Sequence, residues 1–137
     1  DEPINPLLLG LSAGATFVAR GFAGDMPGLT NLISAAVKHK GFSVLDILQP
    51  CVTFNHVHTY QWYRSRLYQL DSVKYVPNNR LAAVEKALEW GDKIPLGVFY
   101  SENASTSEDR EPALSSGSLV SQPLGISDLN TLLSEFR

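Results

Sequence analysis

An internal disulfide is closed to this chain. Cys51 is the only cysteine in 137 residues, so no internal bridge can form. With no signal-like start either, the expected setting is reducing, intracellular and cytoplasmic. A basic excess is missing too: 11 Lys and Arg stand against 14 Asp and Glu, for a net charge of -3. No positive field is present to recruit nucleic acid. No apolar run approaches the roughly 20 residues that a membrane span needs. Neither G-x-G-x-x-G nor G-x-x-x-x-G-K-[ST] occurs, so Gly10, Gly14, Gly21 and Gly24 read as helix ends and strand turns rather than a phosphate loop. There is no internal repeat. The first residue is Asp1 and the only methionine is Met26, which is read here as a cut point in a longer protein.

What remains is the composition of one folded domain, 44% hydrophobic and 18% charged, enough to bury a core. Asn5-Pro6 opens a helix, with Asn as cap and Pro where no N–H is needed, and Gly14 closes it. Residues 15–22 read as a strand. Asp25 caps a second helix whose Leu29, Leu32, Ile33, Ala36 and Val37 form a core-facing stripe at helical spacing. Lys38, His39 and Lys40 suit its last turn, and Gly41 stops it. Phe42 to Leu48 is a second strand, giving a strand–helix–strand unit with parallel strands. Thr59 caps a helix placing Tyr60, Tyr63, Leu67 and Leu70 on one face. Asn79 caps another with Leu81, Val84 and Leu88 inward. Residues 94–100 read as a strand, at an edge because of Pro95. Residues 101–117 read as a flexible Ser-rich arm, and 128–136 as a short closing helix. The fold class expected is α/β, a short, mostly parallel sheet flanked by helices, with an extended C-terminal arm.

The residues able to carry chemistry are few. Cys51 follows an apolar strand, where α/β proteins place their sites. It can be a small buried hydrophobe, a reactive thiol or one ligand of a metal centre completed elsewhere. Cys51, His56 and His58 could form a zinc site, with His39 a distant fourth, although the paired ligand spacing of zinc sites is missing. A Cys–His nucleophilic set lacks a local signature. Tyr60, Trp62, Tyr63 and Tyr68 beside Arg64 and Arg66 read as packing and a solvated face rather than a base-stacking surface. Asn103-Ala104-Ser105 matches a glycosylation sequon but is inert inside a cell.

Taken in order, several blocks resemble one family. They are Ile4-Asn5-Pro6, the run Gly14 to Phe22, His39-Lys40-Gly41-Phe42-Ser43, and Leu48-Gln49-Pro50-Cys51-Val52-Thr53-Phe54-Asn55. The likeness continues through Thr59-Tyr60, Trp62-Tyr63, Ala87 to Trp90, Ile94 to Tyr100, Glu111 to Leu114 and Gln122-Pro123-Leu124. Together they resemble the C-terminal portion of the β subunit of 2-oxoacid:ferredoxin oxidoreductases, over nearly the whole chain.

The resemblance implies a subunit that binds thiamine diphosphate, Mg²⁺ and a 4Fe–4S cluster. Its complex decarboxylates a 2-oxoacid oxidatively to an acyl-coenzyme A and passes electrons to ferredoxin. Cys51 is then one cluster ligand, with Pro50 and Thr53 beside it. Arg20 and His39 are candidates for contacts near the cofactor or a subunit interface, or else a plain ion pair and cap. The family's Gly-Asp-Gly motif, its Mg²⁺-site Asn and three partner cysteines are absent here. The resemblance places them before Asp1, so this chain alone is not expected to hold either cofactor tightly. Residues 1–58 would be the end of the cofactor domain and 59–137 an extension. The implied partners are an α subunit, the rest of the β subunit, ferredoxin, the 2-oxoacid and coenzyme A. The strands near 15–22 and 42–49 would lack parallel neighbours, leaving an apolar edge. The rival reading is a non-catalytic α/β domain that only binds the other subunit.

Overall fold

The computed structural model describes residues 3–122 and 133–134. These fall into two compact units divided between Thr106 and Ser107. In the first, α1 (Pro6–Ser12), β1 (Phe17–Phe22), α2 (Met26–Lys38) and β2 (Ser43–Leu48) follow the expected order. Asn5 and Asp25 accept hydrogen bonds from backbone N–H groups of the helices they cap, which offsets part of the unmet donor set of each first turn. Gly14, at φ +84, follows α1 directly. A positive φ there costs a residue without Cβ little.

β1 and β2 run parallel, from Phe17 opposite Ser43 to Phe22 opposite Leu48. That register puts Val18 and Val44, Arg20 and Asp46, and Phe22 and Leu48 on one face of the sheet, because side chains alternate along a strand. The helices divide between the two faces. Val44 lies under Gly10 of α1, while Gly21, on the other face, lies within 2.7 Å of Leu29 of α2 if given a Cβ.

The junction before β2 is clamped. The N–H of Phe42 donates to Thr16 Oγ at 3.0 Å, and the same oxygen meets His39 Nε2 at 2.9 Å. Gly41 sits in this knot at φ +134, and a Cβ on it would stand 2.2 Å from that hydroxyl. Conformation and space both exclude a side chain there.

Four expectations need correction. The Thr59-capped helix, α3, spans only Tyr60–Arg64, and the chain then extends as β3 (Leu67–Gln69). Leu70 lies buried in a 3₁₀ turn, Leu70–Val73. The ladder with β4 (Ile94–Ser101), Leu67 opposite Ile94 through Gln69 opposite Leu96, overrides the local helical spacing.

β4 is not an edge strand: the sheet order is β2-β1-β4-β3. Its antiparallel ladder with β1 begins only at Gly97 opposite Arg20, so Pro95 is flanked by β3 alone. The missing N–H therefore costs no ladder bond on the second side. β1 thus gains an unexpected neighbour, and among the described residues the outer strands are β2 and β3.

In α4 (Arg80–Leu88) the buried face is Ala83 and Ala87. Leu81 and Leu88, expected inward, are exposed. Small residues let α4 approach α1, whose cap Asn5 donates from Nδ2 to Ala87 O at 2.8 Å.

In α2 only Leu29 is fully buried, while Ile33 and Val37 are exposed. β2 ends the sheet, so strands underlie only part of the stripe.

The main core joins Leu7, Leu11, Val18, Leu70, Ala83 and Phe99, and a second joins Phe22, Leu48, Ile94 and Leu96. The stretch expected as a flexible arm carries local hydrogen bonds and short turns. Glu102 N–H donates to Thr16 O at 2.8 Å, and in the second unit three 3₁₀ turns run Glu108–Arg110, Pro112–Leu114 and Leu119–Ser121. Gln122 Nε2 donates to Ala113 O and Gly117 O, tying them together. The closing helix expected at 128–136 lies almost wholly outside the described residues.

A small polar group reports on pH. Lys86 Nζ donates to Glu89 Oε1 at 2.6 Å, and Tyr68 OH donates to Glu89 Oε2. Burial pushes Glu89 up, but the bonds from Lys86 and Tyr68 outweigh it and leave the carboxyl below its usual range. The bond to Glu89 raises Lys86, and burial, then the same carboxylate, raises Tyr68. A lowered carboxyl contributes stability above its unfolded pKa and loses it as pH falls through the folded value. A raised ammonium contributes below its unfolded pKa and loses it as pH rises through the folded one. With the ion pair about a third exposed, Glu89→Gln is expected to cost roughly 0.2–1 kcal/mol near neutrality. Urea unfolding at pH 7 and pH 3 checks this, since the difference from the parent protein should shrink in acid.

Candidate functional site

β2 delivers its C-terminal end to a turn of exposed residues, 51–58. Leu48 and Pro50 are buried and anchor the approach. Cys51 itself is exposed and free, which removes the reading of a buried structural cysteine. Its carbonyl accepts from Phe54 N–H at 3.2 Å and Asn55 N–H at 2.8 Å. Asn55 Oδ1 in turn accepts from the N–H groups of Val57 and His58, the local bonding that lets Asn hold a turn. The thiol is thus presented on a bonded loop. Val52, Phe54 and Val57 stand exposed on that loop, a run of apolar side chains that a solvent-facing turn has no use for.

The other candidates sit apart from the thiol's turn or serve it. His58 packs its ring edge against Trp62, centroids 4.5 Å apart, and its Nδ1 meets Asn55 Nδ2 at 3.3 Å. It closes the loop onto α3. His56 and Thr53 are exposed. His39 meets the Thr16 hydroxyl and lies 5.3 Å, ring to ring, from Phe17, a structural position at the foot of β1. Among the described residues no group of three or more His, Cys, Asp or Glu side chains could hold a metal ion. Cys51, His56 and His58 are therefore not brought together as a zinc site. A 4Fe–4S centre takes four ligands. The described residues fit one corner of such a centre through an accessible thiol, and do not fit a whole one.

Arg20 is placed most tightly. It is 2% exposed, and its Nε donates to Asp46 Oδ2 at 2.8 Å across the β1–β2 register. Its guanidinium lies 5.3 Å from the Trp90 ring and 5.7 Å from Phe99. Nη1 is buried and has no hydrogen-bond partner. Asp46 and Trp90 were not singled out from the sequence. The signal was there for Asp46: each of two adjacent parallel strands carries one charge, of opposite sign, in an otherwise apolar run. Beside this pair, at the same end of β2, lies a hollow of about 450 Å³ bordered by Ile4, Pro6, Leu48, His58 and Trp90.

Comparison with known proteins gives consistent results. A family model for the C-terminal part of the pyruvate ferredoxin oxidoreductase beta subunit matches residues 51–116, beginning at Cys51. The 2-oxoacid:ferredoxin oxidoreductase subunit beta of a Sulfolobus species is 44% identical over 73% of this chain and 36% of its own length. The equivalent subunit of Saccharolobus solfataricus is 41% identical over 80% of this chain and 40% of its own. A solved 2-oxoglutarate:ferredoxin oxidoreductase from Magnetococcus marinus, with 2-oxoglutarate, coenzyme A and succinyl-CoA bound, matches the whole chain. Its TM-score is 0.82 at 30% identity, over 46% of its own chain. The chain spans about two fifths of the length of these curated relatives.

Proposed function

We propose, from a chain that belongs to the 2-oxoacid:ferredoxin oxidoreductase β-subunit family and matches the C-terminal portion of its members, that it works as that portion of a redox complex. The complex would convert a 2-oxoacid and coenzyme A to an acyl-coenzyme A, carbon dioxide and reduced ferredoxin. The observation that carries this is the fold match along the entire chain to a 2-oxoglutarate:ferredoxin oxidoreductase. Residues 1–58 close the cofactor-binding domain, and 59–137 form the extension characteristic of the subunit's end.

In this reading Cys51 supplies one thiolate to a 4Fe–4S cluster whose other ligands come from outside the chain. Pro50 fixes the approach of the sulfur, and the loop bonds to Asn55 hold the thiol in place. Thiamine diphosphate and Mg²⁺, bound mainly elsewhere, supply the carbanion chemistry. The partners are an α subunit, the remaining β-subunit polypeptide and ferredoxin. The exposed apolar loop residues Val52, Phe54 and Val57 suit burial against one of the two polypeptides. The complex belongs to the cytoplasm in this reading, on the strength of this chain's single cysteine and of its family. No described helix is long and apolar enough to cross a membrane.

The test is Cys51→Ser in the assembled complex. Residues one step removed from a metal already cost about 10–100-fold when replaced, so a direct ligand should cost at least that in 2-oxoacid-dependent dye or ferredoxin reduction, with loss of cluster absorbance and iron. Because the thiol is exposed, unfolding of the 137-residue chain should change by less than about 0.5 kcal/mol. Full iron content and activity in the variant would remove Cys51 from the centre. An assembled complex that never reduces ferredoxin would leave the chain as a subunit-binding domain.

A further inference from the structure

A buried charged donor without an acceptor is uncommon in a folded protein, and leaving one unmet costs roughly 1–3 kcal/mol or more. Arg20 Nη1 is such a group. Asp46 engages only Nε. The hollow beside it is within the size range of small-molecule sites, about 300–1,000 Å³, and its walls are mainly apolar: Ile4, Pro6, Leu48 and Trp90. Such sites pair an apolar lining with a few placed polar groups. Here those groups are Arg20, Asp46 and Asn5 in the lining and His58 at the border.

Two aromatic rings hold the guanidinium, and they differ. Phe99 is fully buried, whereas Trp90 is 53% exposed. Of the two, only Trp90 also borders the hollow.

We propose that this hollow is a binding site for a small organic molecule with an apolar body and one carbonyl-type oxygen, which accepts a hydrogen bond from Arg20 Nη1. Arg20 and Asp46 already balance each other's charge, so the acceptor need not be ionised. A neutral carbonyl avoids the Asp46 carboxylate that also borders the hollow, whereas a carboxylate would face it. The inference does not depend on which reaction the complex carries out, although His58 belongs to the loop that carries Cys51.

The test is a nitrogen-15 NMR titration of the 137-residue chain with benzamide, benzoate and toluene, which share a ring and differ in the acceptor. Expected are saturable shifts of the Trp90 indole N–H and the Arg20 Nε–H, with benzamide or benzoate binding at least tenfold more tightly than toluene. A benzoate preference identifies an acid as the natural class, and a benzamide preference identifies a neutral carbonyl. Ile4→Trp at the exposed border, and Leu48→Phe within, should each weaken binding at least tenfold while far-UV circular dichroism stays unchanged. Toluene binding as well as benzamide, no saturable shift with any probe, or shifts indifferent to both filling variants would each overturn the site.

Discussion

Arg20→Ala is expected to remove about 3–5 kcal/mol of unfolding free energy from the sheet unit, the cost of leaving one member of a buried ion pair behind. Asp46 is only 15% exposed at its side chain, so water replaces the guanidinium only in part. The variant also opens the space between Trp90 and Phe99, which the guanidinium now fills. Urea unfolding of the 137-residue chain, followed by circular dichroism, measures the loss. The double variant Arg20→Met with Asp46→Leu should recover most of it, since two apolar side chains need no solvation. A cost below about 1 kcal/mol for Arg20→Ala would mean that the pair behaves as a surface bridge. The same cycle separates stability from binding, because the double variant restores the fold without restoring a donor in the hollow.

Phe99→Ala carries the next largest expected effect, also about 3–5 kcal/mol. Phe99 is fully buried in β4, within the cluster that includes Leu7, Leu11, Val18 and Leu70. Its carbonyl accepts the Tyr75 hydroxyl at 2.7 Å, so the backbone there is pinned and little of the cavity can close by collapse. Val37→Ala is the matched control. Val37 is 80% exposed, and its truncation should stay within about 0.5 kcal/mol. Phe99 and Arg20 are in contact, so the double alanine variant should cost less than the two single losses added together. Strict additivity would show that the ring and the guanidinium stabilise the unit independently.

Where a residue's neighbours along the chain decide its conformation, the sequence was legible. Asn5-Pro6, Asp25, Thr59 and Asn79 all cap helices as their side chains require, because capping involves only the next two or three N–H groups. The β1–α2–β2 unit followed from the change of apolar period and its glycine and proline boundaries. The ordered blocks around Gln49-Pro50-Cys51 likewise pointed to the family, since a run of residues in order is a property of the chain itself.

The structure decided whatever depends on a distant partner. Leu67 and Leu70 continue a helical spacing, yet β4 captures Leu67 to Gln69 as a strand. Pro95 carries an edge signal, yet it lies in a strand between two others, beyond the end of one ladder. Ala83 and Ala87, not the larger Leu81 and Leu88, face inward on α4, because closeness to α1 selects for small side chains. Cys51 is exposed rather than buried. The pairing of Arg20 with Asp46, 26 residues later, exists only through the register of two parallel strands. Local sequence determines capping, period and kinship, since these are read within a few residues or in order along the chain. Which faces are covered, which strand fills the sheet and which charge goes unmet are set by contacts between residues far apart in sequence, and only the folded chain contains them.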